Sequence, residues 1–190
     1  MNKTKKQIFD VAIILFAELG YEKTTMDDIA EQAKVAKGTL YYYFKSKEDI
    51  FNFLVEESIK TLSDLINNSI ININNPIEKL KEIVKIQAEM INKYNKFIIF
   101  LLSQLWGTHE RQVKFREYIY GYIKIMKNIF DEAKEQDLII NENSDVMAAA
   151  FFGMISSAMI YNMMNEGNYD SEYLSNILIK YFMDGLQGKK

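Results

Sequence analysis

Apolar residues recur along almost the whole chain at helical spacing, and no run bounded by turn signals shows the alternation of a strand. Ile8, Val11, Ala12, Leu15, Phe16 and Leu19 fall at i, i+3, i+4, i+7, i+8 and i+11, so a first amphipathic helix is expected, with Gly20 placed to end it. Thr25 and Asp28 form a capping-box-like pair that starts a second helix at about Met26, and Ile29, Ala30 and Ala33 give it a short apolar stripe. Lys34, Val35 and Ala36 make the turn. In a third helix, Leu40 and Phe44 share one face, Gly38, Thr39 and Tyr42 lie opposite, and Tyr41 and Tyr43 occupy the flanks. Ser46 and Asp49 repeat the capping pattern and open a fourth helix that carries Ile50, Phe51, Leu54, Ile59, Leu62, Leu65 and Ile66 to about Asn72.

Asn74-Asn75-Pro76 then offers a cap followed by proline at the first helical position. Further helices are expected over about 76–92, 96–106, 110–136, 144–165 and 171–186. The pattern predicts an all-α fold of about nine helices. An N-terminal three-helix helix-turn-helix domain spans residues 1–47, and a larger helical domain spans 48–190, entered directly along the fourth helix.

Composition supports long helices and a sizeable core: 48% of the residues are hydrophobic, and one proline and eight glycines leave few breaks in 190 residues. There is no cysteine, which excludes disulfides and thiolate metal sites and fits a reducing cytoplasm. The polar, lysine-rich opening has no hydrophobic signal core, so a cytoplasmic location is expected.

Charge separates the two parts. Residues 34–47 hold four lysines and no acid, and Lys3, Lys5 and Lys6 add to the same region. Residues 1–50 balance at eight basic and eight acidic side chains, so the net charge of −3 lies wholly in the rest of the chain. A neutral domain with one basic edge suits phosphate contacts, whereas the acidic body does not. The second helix of a helix-turn-helix enters the major groove of DNA. Tyrosine and threonine hydroxyls contact phosphates, and a glycine in the first turn allows close backbone approach. The candidate DNA contacts are therefore Thr25, Lys37, Gly38, Thr39, Tyr41, Tyr42, Tyr43 and Lys47.

Val146 to Met164 is nineteen residues without a charge, with a small-residue ladder at Ala149, Gly153 and Ser157. Its flanks are acidic, at Glu142, Asp145, Glu166 and Asp170, and lack basic anchors. The reading is a helix buried on nearly all sides at a subunit interface, with no membrane involved, and residues 171–186 supply a second apolar stripe through Tyr173, Leu174, Ile177, Leu178, Tyr181 and Phe182. His109-Glu110 lacks the second histidine of a zinc-protease motif, and neither a phosphate-binding glycine loop nor a nucleophile elbow is present. No metal, cofactor or enzymatic activity is expected. Residues 94–126 are rich in aromatics, most of them expected in the core. Among them Phe97, Phe100, Gln104, Trp106, Tyr118 and Tyr122 are candidates for lining a small-molecule pocket.

Residues 8–54 resemble the DNA-binding domain of the TetR family of bacterial repressors. The match runs through Phe16, Gly20-Tyr21, Thr24-Thr25, Ile29-Ala30, Ala33, Val35, Lys37-Gly38-Thr39-Leu40-Tyr41-Tyr42-Tyr43-Phe44 and Ser46-Lys47-Glu48. Two positions depart from the family pattern. Lys34 stands where relatives often carry glycine, at a cost on the order of 1 kcal/mol if the backbone is left-handed there. Ala36 stands where a capping serine is common, giving up roughly 1 kcal/mol. The resemblance implies a ligand-responsive repressor that binds a palindromic double-stranded operator as a homodimer. It also implies a small apolar or amphipathic effector bound in the body, and two helices from each chain forming a four-helix dimer interface. A helical small-molecule-binding or scaffold protein without DNA function is the alternative, and salt-dependent DNA binding separates the two.

Overall fold

The computed structural model describes residues 1–165 and 170–186. Among them are eight helices: α1 (Lys3–Lys23), α2 (Met26–Gln32), α3 (Lys37–Tyr43), α4 (Lys47–Ile70), α5 (Pro76–Ser103), α6 (Glu110–Glu135), α7 (Ser144–Met164) and α8 (Ser171–Leu186). The helices expected at 76–92 and 96–106 run on as α5, with a kink between them at Tyr94, whose ψ of 34° departs from helical geometry. That bend sits in the polar run Asn92-Lys93-Tyr94-Asn95, where asparagine and tyrosine support a helix weakly.

The chain forms two compact units, each assembled from separated segments. The first comprises Met1–Lys60 with Lys96–Tyr118, and the second Thr61–Asn95 with Ile119–Lys190, so α4, α5 and α6 each contribute to both. In the first unit, Ile8, Ala12, Leu15 and Phe16 bury one face of α1, whereas Leu19, expected on that face, lies exposed. Phe16 is the hub of this core. Its ring stacks on Phe100 and on Tyr21, both at 5.6 Å between centroids, and meets the edge of Phe51 at 6.2 Å. Gly20, at φ 78°, interrupts α1 at the expected place, but a further turn continues to Lys23. Thr24 is fully buried, and its hydroxyl donates to the carbonyls of Leu15 and Gly20, satisfying acceptors at the interruption.

In the second unit, Phe130 of α6, Phe151 of α7 and Phe182 of α8 meet as a triad with centroids 4.9–5.7 Å apart. Asp131 ties α6 to the start of α7 by accepting from Ser144 at 2.5 Å, while Lys127 and Lys134 flank its carboxylate. Helix α7 is long and apolar enough to cross a membrane by length and composition, with a mean hydropathy of 1.5. Within this chain it is covered on one side only, by way of Met147, Ala148, Phe151, Ile155, Met159 and Asn162. Val146, Ala149, Ala150, Gly153, Ser157, Tyr161 and Met164 lie on the opposite side, exposed. The expectation of burial on nearly all sides is thus met for half of the helix. The other half is an uncovered apolar face, and Tyr173 and Tyr181 of α8 are exposed as well.

Candidate nucleic-acid interface

The interface is built on the α2–α3 corner. Thr25 caps α2: its hydroxyl accepts from the Asp28 amide at 3.1 Å, and Asp28 returns the contact by accepting from the Thr25 amide at 3.0 Å. The Thr25 hydroxyl and amide together hold the Asp28 carboxyl below its ordinary range. At the corner, Lys34 adopts φ 53°, the left-handed conformation that glycine takes without penalty, and the Val35 amide closes the turn onto Ala30. Ala36 precedes α3 without a side-chain cap, so α3 starts on backbone geometry alone.

Helix α3 buries Leu40, Phe44 is buried at its C-terminal cap, and the other face turns outward. Tyr42 is 76% exposed, Gly38 is open with nothing against it, Tyr41 is exposed, and Thr39 and Tyr43 are half-buried. The tyrosines are braced. Tyr42 and Tyr43 pack edge to face at 5.1 Å, and the Tyr43 hydroxyl accepts from the Asn2 side chain at 3.2 Å. The Lys5 ammonium lies 5.2–5.9 Å from the rings of Phe53, Phe44 and Tyr43. Lys37 pairs with Asp27 at 2.7 Å between two exposed side chains, and that hydrogen bond raises its pKa. Lys47 is half-buried and donates to the carbonyls of Tyr21 and Glu22 at the end of α1. All eight candidate DNA contacts therefore stand in the first unit, and all but Tyr43, Thr39 and Lys47 are exposed.

The family model described as bacterial regulatory proteins of the tetR family matches residues 8–53, and one described as the C-terminal region of YsiA-like proteins matches residues 55–185. The chain belongs to the TetR family. It is a DNA-binding transcriptional regulator. Across 186 residues it is 31% identical to the fatty acid metabolism regulator protein of Bacillus subtilis, which covers 96% of this chain and 95% of that relative. It is 35% identical over 139 residues to the biofilm operon negative transcriptional regulator IcaR of Staphylococcus aureus, a match that spans 68% of this chain and 71% of the relative. The solved structure of the transcriptional regulator FadR from Bacillus subtilis in complex with stearoyl-CoA superposes with a TM-score of 0.87 at 28% identity, covering 96% and 99% of the two chains.

In this TetR-family chain the candidate effector residues are dispersed. Phe97 and Phe100 are buried in the first unit, where Phe100 stacks on Phe16. Gln104 is half-buried, with its Nε2 donating to Ser103 and its Oε1 buried without a partner among the described residues. Trp106 is 84% exposed on the loop before α6, which Arg116 grips through the carbonyls of Leu105 and Gly107. Tyr118 is half-buried, and burial raises its pKa, with Glu56 adding to the effect. Tyr122 alone belongs to the second unit. It is buried, its hydroxyl accepts from Gln87, and desolvation pushes its ionisation far above the ordinary tyrosine value. A cleft of about 310 Å³ in the second unit, lined by Ile73, Glu78, Lys81, Glu82, Lys85, Glu172 and Ser175, includes none of the six.

His109 is an exposed loop residue whose carbonyl accepts from Gln112 and Val113 at the start of α6, and no cluster suited to a metal occurs among the described residues. The sequence reading missed two contacts within the first unit. Asn2 caps α1 and reaches Tyr43, and its position just before a helix was a usable signal. Arg111 joins Glu22 across 89 residues, for which no local signal exists.

Proposed function

We propose that this regulator is a repressor that binds a palindromic operator as a homodimer in the cytoplasm and releases it on binding a long-chain acyl thioester of coenzyme A. The observation that carries the DNA reading is the outward face of α3. A seven-residue helix that exposes Tyr41 and Tyr42, with Tyr42 packed on Tyr43 and Tyr43 held by Asn2 and Lys5, offers aromatic rings and hydroxyls to a partner, as a recognition helix does. Thr25, Lys37, Gly38, Thr39, Tyr41, Tyr42, Tyr43 and Lys47 are the proposed contacts. Residues 1–47 read DNA, and residues 48–190 bind effector and dimerise. The uncovered apolar face of α7 and α8 supports dimerisation, because a face of that kind is rarely left to water on a soluble protein.

The effector class is taken from the stearoyl-CoA held by the Bacillus subtilis structure, and it fits the expectation of an amphipathic ligand. Binding of the purified protein to DNA upstream of its own gene is expected to be salt-dependent and to weaken with stearoyl-CoA. Tyr42→Ala should abolish it with helix content unchanged. Retained binding by that variant would remove the exposed tyrosine from the interface, and salt-independent binding would favour the scaffold alternative.

A further inference from the structure

The last turn of α1 is a separate piece of structure. Gly20 breaks the helix before it, and only Thr24 lies between its end at Lys23 and Thr25, the cap of α2. Whatever holds Tyr21 and Glu22 therefore holds the start of α2, and through the tight corner at Lys34 it also holds α3. Arg111, in the first turn of α6, grips both residues. Its guanidinium carbon lies 3.9 Å from the centre of the Tyr21 ring, and its Nη2 reaches the Glu22 carboxylate at 3.0 Å. The Arg111 side chain is 12% exposed, against 77% for Glu22, and its Nε is buried with no hydrogen-bond partner among the described residues. An apolar side chain would fill that space without stranding an N–H, so the arginine is not there for packing alone. A lysine could carry the charge but not the planar stack on the ring.

We infer that Arg111 is a positioning residue for operator recognition: it clamps the start of α6 to the end of α1 and so sets where α2 and α3 stand. The Arg111 side chain is largely buried and is not among the proposed DNA contacts. This rests on the operator-binding reading above, and the test has arms that separate the two.

The experiment compares Arg111→Met, Arg111→Lys and Glu22→Gln with wild type. Operator affinity is measured on a duplex covering the chain's own upstream DNA, over a salt series, with and without stearoyl-CoA. Both arginine variants should weaken binding by about 5- to 50-fold, within the usual span of coupling between linked sites. The slope of affinity against salt should not change, since a positioning residue adds no phosphate contact of its own. Glu22→Gln should act in the same direction, and being exposed it carries the test if Arg111→Met does not fold. Affinities within twofold of wild type for all three would overturn the proposal. So would a salt slope shallower by about one, the mark of a phosphate contact. Independently of DNA, amide exchange over Thr25–Gln32 should be faster in Arg111→Lys while α7 exchanges as in wild type, and equal rates would also overturn it. If stearoyl-CoA leaves wild-type operator binding unchanged, the effector reading fails, while the positioning role is still decided by the ligand-free arms.

Discussion

The ammonium of Lys47 lies 4.4 Å from the centre of the Tyr21 ring and donates a 2.6 Å hydrogen bond to that residue's own carbonyl. A second bond, at 3.2 Å, goes to the carbonyl of Glu22. These are acceptors at the end of a helix, where a cation is favoured. Two of the three ammonium donors are thus used internally, and the third is available to a phosphate. Lys47→Ala is expected to lower stability by about 1–2 kcal/mol and also to reduce the salt slope of operator binding by about 0.9. Thermal melts and a salt series check both. A lower melting temperature with an unchanged slope would restrict Lys47 to a structural role.

The corner between α2 and α3 can be improved. Lys34 holds φ 53°, and Ala36 begins α3 without a cap. Lys34→Gly should stabilise by roughly 0.5–1 kcal/mol, and Ala36→Ser by about 1 kcal/mol. Melting of the single and double variants tests this. A loss of stability in Lys34→Gly would mean that the lysine side chain contributes more than its backbone strain costs.

Gly153 stands on the uncovered side of α7 with nothing within 4 Å of an added Cβ. Gly153→Trp should therefore leave the protomer folded and act only on what covers that face. Sedimentation should show a dimer for wild type and a monomer for the variant, with equal helix content. A variant that remains dimeric would place the subunit contact elsewhere.

Asp131 gives a pH prediction. Hydrogen bonds from Lys127 first, then Ser144, with Lys134 adding to them, hold its carboxyl well below the usual carboxylate range. A depressed folded-state value contributes stability above the unfolded value, near about 4, which is lost as pH falls through the folded one. Asp131→Asn should melt below wild type at pH 7, and the gap should narrow as pH is lowered from about 4. A gap that persists at the acid end would assign the effect to packing instead of charge.

Local rules were enough for much of this molecule. The Thr25–Asp28 capping box, the proline start of α5, the interruption at Gly20, the left-handed strain at Lys34 and the outward face of α3 depend on neighbours within one or two helical turns, so spacing in the sequence determined them. Family membership was legible for the same reason, since the helix-turn-helix is a local motif with fixed offsets. What the sequence could not assign was the work of residues whose partners are remote. Leu19 and Leu65 match their apolar stripes but stay exposed, because a stripe states which residues are able to face a core and not how wide the covering neighbour is. Aromatics between residues 94 and 126 look alike in sequence, yet Phe100 stacks in the core on Phe16, Trp106 projects into solvent, and Tyr122 is sealed against Gln87. Arg111 reads as an ordinary helix-start arginine until the fold brings it onto Tyr21 and Glu22. Those assignments belong to tertiary structure because burial and pairing depend on surfaces brought together from distant parts of the chain, which no periodicity within one helix encodes.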